Sequence, residues 1–248
     1  MTIPKLHILA IAAHPDDIEL SCAGTLIKHA QAGQAVGILD LTQGELGTRG
    51  TAATRAAEAA DAAKVMGVIV REQAGMADGF FRNDEEHQRR LIRYIRHYRP
   101  EIVIANALHD RHPDHGRGGR LIADACFYSG LRKIETEWDG AAQQAWRPKR
   151  VYHMLQDRHS EPTFIVDIST TFEKKMEAIR CYKSQFHFHD PASGEPITYI
   201  ATEGFLNNIM YRDSFMGKRI GTQYGEAFHM ENIPGISNLD DLLLPELP

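Results

Sequence analysis

The chain is poor in cysteine and tryptophan and has no long apolar run. Three cysteines, Cys22, Cys126 and Cys181, occur among 248 residues. An odd and widely spaced set forms neither a disulfide framework nor a CxxC metal site. Free thiols fit a reducing, cytoplasmic setting. No apolar stretch approaches the ~18 residues that span a bilayer. Residues 6–13 are apolar, but the run is short, is interrupted by His7 and lacks a basic flank. It reads as a buried strand rather than a signal peptide. A basic excess is missing too: 28 Lys plus Arg face 33 Asp plus Glu, a net charge of −5. That balance argues against nucleic acid and against an anionic membrane as partners. The sequence also has no internal repeat, no low-complexity tract and no interdomain linker.

What is present is an ordinary globular composition, 43% hydrophobic and 25% charged. The length suits one domain, with residues 1–130 as a core and 131–248 as a C-terminal part that closes the site. Apolar runs at 6–13, 35–41, 68–71 and 101–105 read as strands. They alternate with helical patterns at 18–32, 52–66, 84–98 and 118–128, and Gly67 is placed to cap the second helix. Nearly all-apolar strands separated by helices predict a parallel sheet covered on both faces. The expected class is therefore α/β and Rossmann-like, mostly parallel, with a C-terminal extension. Further strands are predicted at 151–155 and 164–168, further helices at 171–182 and 203–220, and a loop at 186–199.

Two clusters carry the chemistry. Ala13-His14-Pro15-Asp16-Asp17 follows the first strand directly, at the carboxyl end where parallel sheets bind ligands. His109-Asp110-Arg111-His112-Pro113-Asp114-His115 follows the strand at 101–105 in the same way. Taken singly, His-Pro-Asp is usually a turn whose Asp caps the next helix. Two such clusters at one sheet edge can instead converge on one ion. His14, Asp17 and a histidine of the second loop would supply three protein ligands, and the open fourth position marks a catalytic zinc site.

His14-Pro15-Asp16-Asp17 together with His112-Pro113-Asp114-His115 resembles the signature of the zinc-dependent sugar N-deacetylases. This family includes the N-acetylglucosaminyl-phosphatidylinositol, mycothiol-pathway and bacillithiol-pathway enzymes. The stretch from Asp40 to Thr51 with Arg55, the Asp124-Ala125-Cys126-Phe127 and Gly130-Leu131-Arg132-Lys133 segments, and Ser184-Gln185-Phe186 extend the likeness. It is greatest to the bacillithiol deacetylases, which act on N-acetylglucosaminyl malate. The resemblance implies Zn2+ on His14, Asp17 and His115. It implies Asp16 as the general base, His112 as the group that stabilises or protonates the tetrahedral intermediate, and Asp114 as the carboxylate that orients a histidine. Arg55, Asp110 and Arg111 are implied as substrate contacts. It also extends to homo-oligomers, which family members often form.

One position departs from the family. Some relatives place a tyrosine hydroxyl over the metal near a Glu-Gly-Tyr sequence, whereas this chain reads Thr202-Glu203-Gly204-Phe205. A phenyl ring donates no hydrogen bond. Either His112 serves the oxyanion alone or another group, such as Tyr199, assists.

Other features have bland readings. Arg89, Arg90, Arg93, Arg96 and Arg99 read as a solvated helix face paired with Asp84, Glu85 and Glu86, ahead of a docking face. His187, His189 and Asp190 read as a loop rather than a second metal site. Gly44, Gly47 and Gly50 lack the dinucleotide spacing and read as a turning loop on the substrate side. Cys22 reads as a small buried apolar group.

The function expected is zinc-dependent removal of the N-acetyl group from N-acetylglucosaminyl malate, a small-molecule substrate. A chitooligosaccharide or a mycothiol-like conjugate is the alternative. A non-catalytic sugar- or metal-binding protein is the reading from another class, and it gives no reason for Asp16.

Overall fold

The computed structural model describes residues 4–186 and 196–243. Eight elements alternate in the first half: β1 (Ile8–Ala12), α1 (Asp17–Gln31), β2 (Val36–Asp40), α2 (Ala52–Met66), β3 (Val70–Gln73), α3 (Glu85–Tyr98), β4 (Ile102–Ala105) and α4 (Pro113–Tyr128). A small antiparallel pair follows, β5 (Glu137–Trp138) with β6 (Ala141–Ala142). The second half holds β7 (Arg150–Met154), β8 (Phe164–Asp167), α5 (Phe172–Arg180), α6 (Lys183–Phe186), α7 (Glu203–Arg219) and β9 (Gly225–His229).

The main sheet has the order β3-β2-β1-β4-β7-β9-β8. β3 through β7 run parallel, whereas β9 is antiparallel to both β7 and β8. β1 and β2 are buried along their whole length, which is why they carry continuous apolar runs rather than alternation. One face packs Ile18, Leu26 and Ile27 of α1 with Met176 and Ile179 of α5. The other packs Leu91 and Ile95 of α3 with Leu121 and Ile122 of α4. Each such side chain contributes about 1.5–3 kcal/mol on burial. The α/β, mostly parallel architecture expected from the sequence is the one observed.

Local chemistry explains the boundaries. Thr51 caps α2 by accepting the Thr54 N–H, and Gly67 closes it at φ 74°. The arginines of α3 are spent on structure. Arg96 donates to the carbonyls of Ser129, Leu131 and Ile134, Arg90 to those of Ala74 and Gly75, and Arg89 to Glu85.

Two differences from the sequence reading matter. α4 starts at Pro113, five residues before the predicted start, because His112 caps it and proline suits the first helical position. The second cluster is therefore a helix N-terminus rather than a loop. β9 is absent from the sequence reading, since Gly225-Glu226-Ala227-Phe228-His229 has no β-branched residue and centres on a buried Glu226. The predicted loop 186–199 ends in a 3-10 turn at Tyr199–Ala201. Its His187, His189 and Asp190 lie outside the described residues.

Glycine lets α4 approach the sheet. A Cβ at Gly119 would lie 2.7 Å from the Asn106 carbonyl oxygen and 3.0 Å from that of Ala107. Both contacts are rigid backbone, so Gly119→Ala is expected to cost about 1–3 kcal/mol of stability. Gly204→Ala, with nothing near its Cβ, should instead gain a few tenths to about 1 kcal/mol. Urea unfolding of the two variants checks the pair; equal midpoints would contradict the close approach.

Candidate metal and active site

The carboxyl ends of β1, β4 and β7 meet where the strand order reverses, the usual ligand crevice of an open α/β sheet. β1 is followed by Ala13-His14, β4 by Asn106, and β7 by Leu155-Gln156. A cavity of about 700 Å3 opens above them. It is lined by His14, Asp16, Asp17, His112 and His115 on its floor, and by residues of both halves of the chain on its walls.

Asp17 lies between two imidazoles. Its Oδ1 is 3.0 Å from His115 Nε2, and its Oδ2 is 3.5 Å from His14 Nδ1. The far nitrogen of each ring faces another carboxylate. His14 Nε2 is 3.0 Å from Asp78 Oδ1 and 3.5 Å from Asp114 Oδ2. His115 Nδ1 is 2.5 Å from Asp110 Oδ2. A ring that donates outward to a carboxylate keeps the lone pair on its inner nitrogen, the usual support of a metal-ligating histidine. Asp17 thus faces one nitrogen of each imidazole, and imidazole nitrogens with a carboxylate are donors of the kind that suit Zn2+. His14, His112 and His115 lie close enough to share an ion, as do His14, Asp78 and Asp114. The second grouping would need the His14 nitrogen that already serves its carboxylates.

Charges follow this geometry. Burial alone would lower the His14 pKa, but Asp114, Asp17 and Asp78 outweigh it and hold it well above the usual value. Burial is likewise overcome at His115, which Asp17 and Asp110 raise to about 9. Asp17 goes the other way: burial opposes ionisation, yet His115 and His14 hold the carboxyl well below its ordinary range. Asp110 falls to about 2 despite burial, chiefly through His115 and the backbone N–H groups around it. His112 is lowered by burial and by the charges of His14 and His115.

Asp16 sits at the N-cap of α1 with φ 112°, a strained value for a residue with a Cβ. Burial lifts its pKa to about 7, against the pull of Arg55 and with the help of Asp17. Arg55 Nη2 donates to Asp16 Oδ2 at 3.1 Å and to the Pro15 carbonyl at 2.5 Å. Its Nη1 donates to the Gly44 carbonyl at 3.2 Å. Gly44 must be glycine: φ is +63°, and a Cβ would lie 1.8 Å from Arg55 Nη1.

The residues expected from the sequence are therefore gathered, but not all face the cavity. Asp110 lies behind His115, and its Oδ1 accepts the N–H groups of Asp157 and Arg158. Asp114 accepts from Gly79 N–H and Arg117 and is the more distant of the two carboxylates at His14 Nε2. Arg55 turns its two terminal nitrogens onto protein oxygens. Arg111 is at the rim, 2.8 Å from Asp157 and stacked 4.7 Å above the Tyr199 ring. Tyr199 donates its hydroxyl to Asp157 at 3.1 Å, and Phe205 lines the wall.

Sequence reading misses Asp78, Asn106 and Gln156. Asp78 is the nearer carboxylate at His14. Asn106 donates to Asp17 Oδ2 at 3.1 Å, and Gln156 to its Oδ1 at 3.3 Å. Asn106 and Gln156 carry a positional signal, since each stands within two residues of the end of a parallel strand at the same sheet edge, whereas Asp78 lies five residues beyond β3.

Residues 9–126 match the model of the GlcNAc-PI de-N-acetylase family. The conserved protein TT1542 of Thermus thermophilus is 31% identical, with a TM-score of 0.84, over 94% of this chain and 98% of that one. The chain belongs to the GlcNAc-PI de-N-acetylase family. Membership makes it an enzyme, of the deacetylase type that gives the family its name. The diacetylchitobiose deacetylase of Thermococcus kodakarensis is 27% identical over 92% of this chain and 84% of its own length. The 4-oxalmesaconate hydratase of Pseudomonas putida is 29% identical over 75% and 77%. Among the described residues, no helix is long and apolar enough to cross a membrane.

Protons would compete with a metal for this site. Below about pH 9 His115 of the metal-free protein is protonated, and His14 is raised as well. Zinc added at pH 7 is therefore expected to release protons, and its affinity to fall as pH falls. Calorimetry in buffers of different ionisation enthalpy measures the release; a buffer-independent heat would contradict it.

Proposed function

We propose that the protein removes the N-acetyl group from a GlcNAc-containing small molecule, with His14, Asp17 and His115 as the ligands of a Zn2+ ion. The observation that carries this reading is the pairing of two outward-anchored imidazoles with Asp17, beside a second buried carboxylate, Asp16, in the same cavity. What Zn2+ supplies in such a site is Lewis acidity, which lowers the pKa of water to about 7 and polarises an amide carbonyl.

The chain's own residues do the rest. Asp16 takes a proton from the attacking water, and its pKa near 7 suits a base that works at neutral pH. Arg55 holds that carboxylate in place. The proton is then available to the leaving amine. His112 Nδ1 accepts the Asp114 N–H at 3.3 Å. The neutral ring therefore carries its proton on Nε2, and this donor serves the carbonyl oxygen as negative charge develops there. Asp110, Asp78 and Asp114 act on this reading as positioning carboxylates for His115 and His14. Arg111 is the rim contact for the substrate.

N-acetylglucosaminyl malate is the leading substrate, supported by the half-exposed Arg111 guanidinium, a suitable partner for a malate carboxylate. A chitooligosaccharide is the second reading. It is supported by the 27% identity with diacetylchitobiose deacetylase across 92% of this chain. We further propose cytoplasmic residence, supported by the free state of Cys22, Cys126 and Cys181.

Release of free amine from N-acetylglucosaminyl malate, N,N'-diacetylchitobiose and N-acetylglucosamine, with zinc or with a chelator, tests the reading. Preference for the malate conjugate supports it; preference for chitobiose moves the assignment to the second reading. Asp16→Asn is expected to retain zinc and lose about 100-fold or more in turnover. Turnover at the wild-type rate would remove Asp16 from the role of base.

A further inference from the structure

α1 is broken one turn from its start. Cys22 has φ −146° and ψ 15°, so the turn Asp17–Ser21 and the helix beyond it are separate segments. In a continuous helix the Gly24 N–H would donate to the Leu20 carbonyl. Here both halves of that bond are taken by charged side chains from the C-terminal half. Gly24 and Thr25 donate their N–H groups to the Glu226 carboxylate at 2.9 and 2.7 Å. The Leu20 carbonyl accepts from Arg212 Nη2 instead.

These two charges are linked. Arg212 Nε and Nη2 each donate to Asp213 Oδ1 at 3.1 Å. Asp213 Oδ2 is 2.6 Å from Lys175 Nζ, which is 2.8 Å from Glu226 Oε1. Lys175, Asp213 and Glu226 are buried. Burying such a chain costs several kcal/mol per ion unless the geometry repays it. Apolar residues could fill the same space more cheaply, so the network needs a reason beyond packing. Arg212 supplies one, because it also lines the cavity and donates to the Gln156 carbonyl.

We infer that Arg212 and Glu226 form a clamp across the break in α1 that sets the orientation of the turn carrying Asp16 and Asp17. Glu226 acts as an N-cap supplied by β9 for the second segment, and Arg212 as a cap for the Leu20 carbonyl near the end of the first. Freed from the helix axis, the first turn aims Asp17 at the two imidazoles. Arg212 is thus a positioning residue, tying the wall of the substrate cavity to the carboxylate turn. The inference rests on the proposed ligand set, and zinc affinity tests the two separately.

The experiment uses Arg212→Met and Arg212→Lys. Arg212 is partly exposed, so both are expected to fold. Zinc affinity is read on metal-free protein by competition with a chromophoric chelator, and kcat and KM on the loaded enzyme. Arg212→Met should lose about 10-fold or more in zinc affinity and a similar factor in kcat, with KM little changed. Arg212→Lys keeps the charge without the fork and should recover part of both losses. Glu226→Gln, which keeps an oxygen acceptor, should behave as the lysine variant does. Wild-type zinc affinity and kcat in Arg212→Met, with only a lower melting temperature, would overturn the clamp. A rise in KM alone would also overturn it and make Arg212 a substrate contact. Zinc affinity unchanged by His115→Ala would overturn the ligand set, and the clamp with it.

Discussion

Beyond their paired residues β1 and β4 separate, and the Asn106 side chain bridges the space between them. Its Oδ1 accepts the Ala13 N–H at 2.8 Å, which anchors the chain just before His14. Its Nδ2 donates to Asp17 and to Gln156 Oε1, and Gln156 Oε1 in turn accepts the Ala107 N–H. One amide therefore ties the ends of β1 and β4 to the residue after β7, and it orients Asp17 while doing so. The convergence of His14, Asp17 and His115 depends on this bridge, since His14 and Asp17 leave β1 while His115 rides on the helix that follows β4. α4 comes close enough only because Gly118 and Gly119 sit against Asn106.

Around that centre, carboxylates are buried in unusual density, and each accepts hydrogen bonds from donors of its own. Asp78 accepts the Leu46 N–H as well as facing His14. Its own N–H goes to Glu45. Behind Asp16, Arg71 bonds both oxygens of Asp40 and also reaches Glu19, which accepts the Tyr182 hydroxyl. Isolated buried carboxylates would take up protons instead. A metal held as proposed by His14, His115 and Asp17 would need charged carboxylates behind the histidines, and those carboxylates in turn need a third layer of backbone N–H groups. The loop carrying Gly44 and Leu46 belongs to this third layer: its carbonyl at Gly44 holds Arg55, and its N–H at Leu46 holds Asp78.

This layering explains what can be read from residues alone. The first strands and helices are legible because their apolar runs and caps are local signals: Gly67 and Asp84 mark the ends where they stand. His14, Asp17 and an unspecified histidine of the second cluster are legible as candidates because both clusters are dense and each follows a strand; the choice of His115 comes only from the family resemblance. Asp78 is not, because a single Asp before glycine has the look of any turn, and only folding brings it to His14. β9 is hidden by Glu226, whose burial makes sense only with Lys175 and the broken α1 beside it. The inward turn of Arg55 and Asp110 is hidden for the same reason. A charge that contacts substrate and a charge that holds a neighbour have the same sequence signature.

The hydratase relative sharpens the meaning of the remaining polar groups. A hydratase adds water across a double bond, and an amidohydrolase splits a C–N bond, yet both must activate water. On the proposed reading Asp16 and the ligand set would serve that shared need, and they do not distinguish the two. An amide imposes a further demand, because its carbonyl oxygen gathers charge while the amine needs a proton. On the proposed reading His112 would answer the first part. Its Nδ1 is occupied by a backbone N–H, and its neighbours His14 and His115 disfavour a second proton. Both effects favour a neutral ring with its proton on Nε2. A neutral donor does not compete with Asp16 for the proton of the water, so one group can stabilise the oxygen while the other carries the proton to nitrogen. The proposed division of labour does not require a tyrosine at position 205, because it needs only one donor at the carbonyl oxygen.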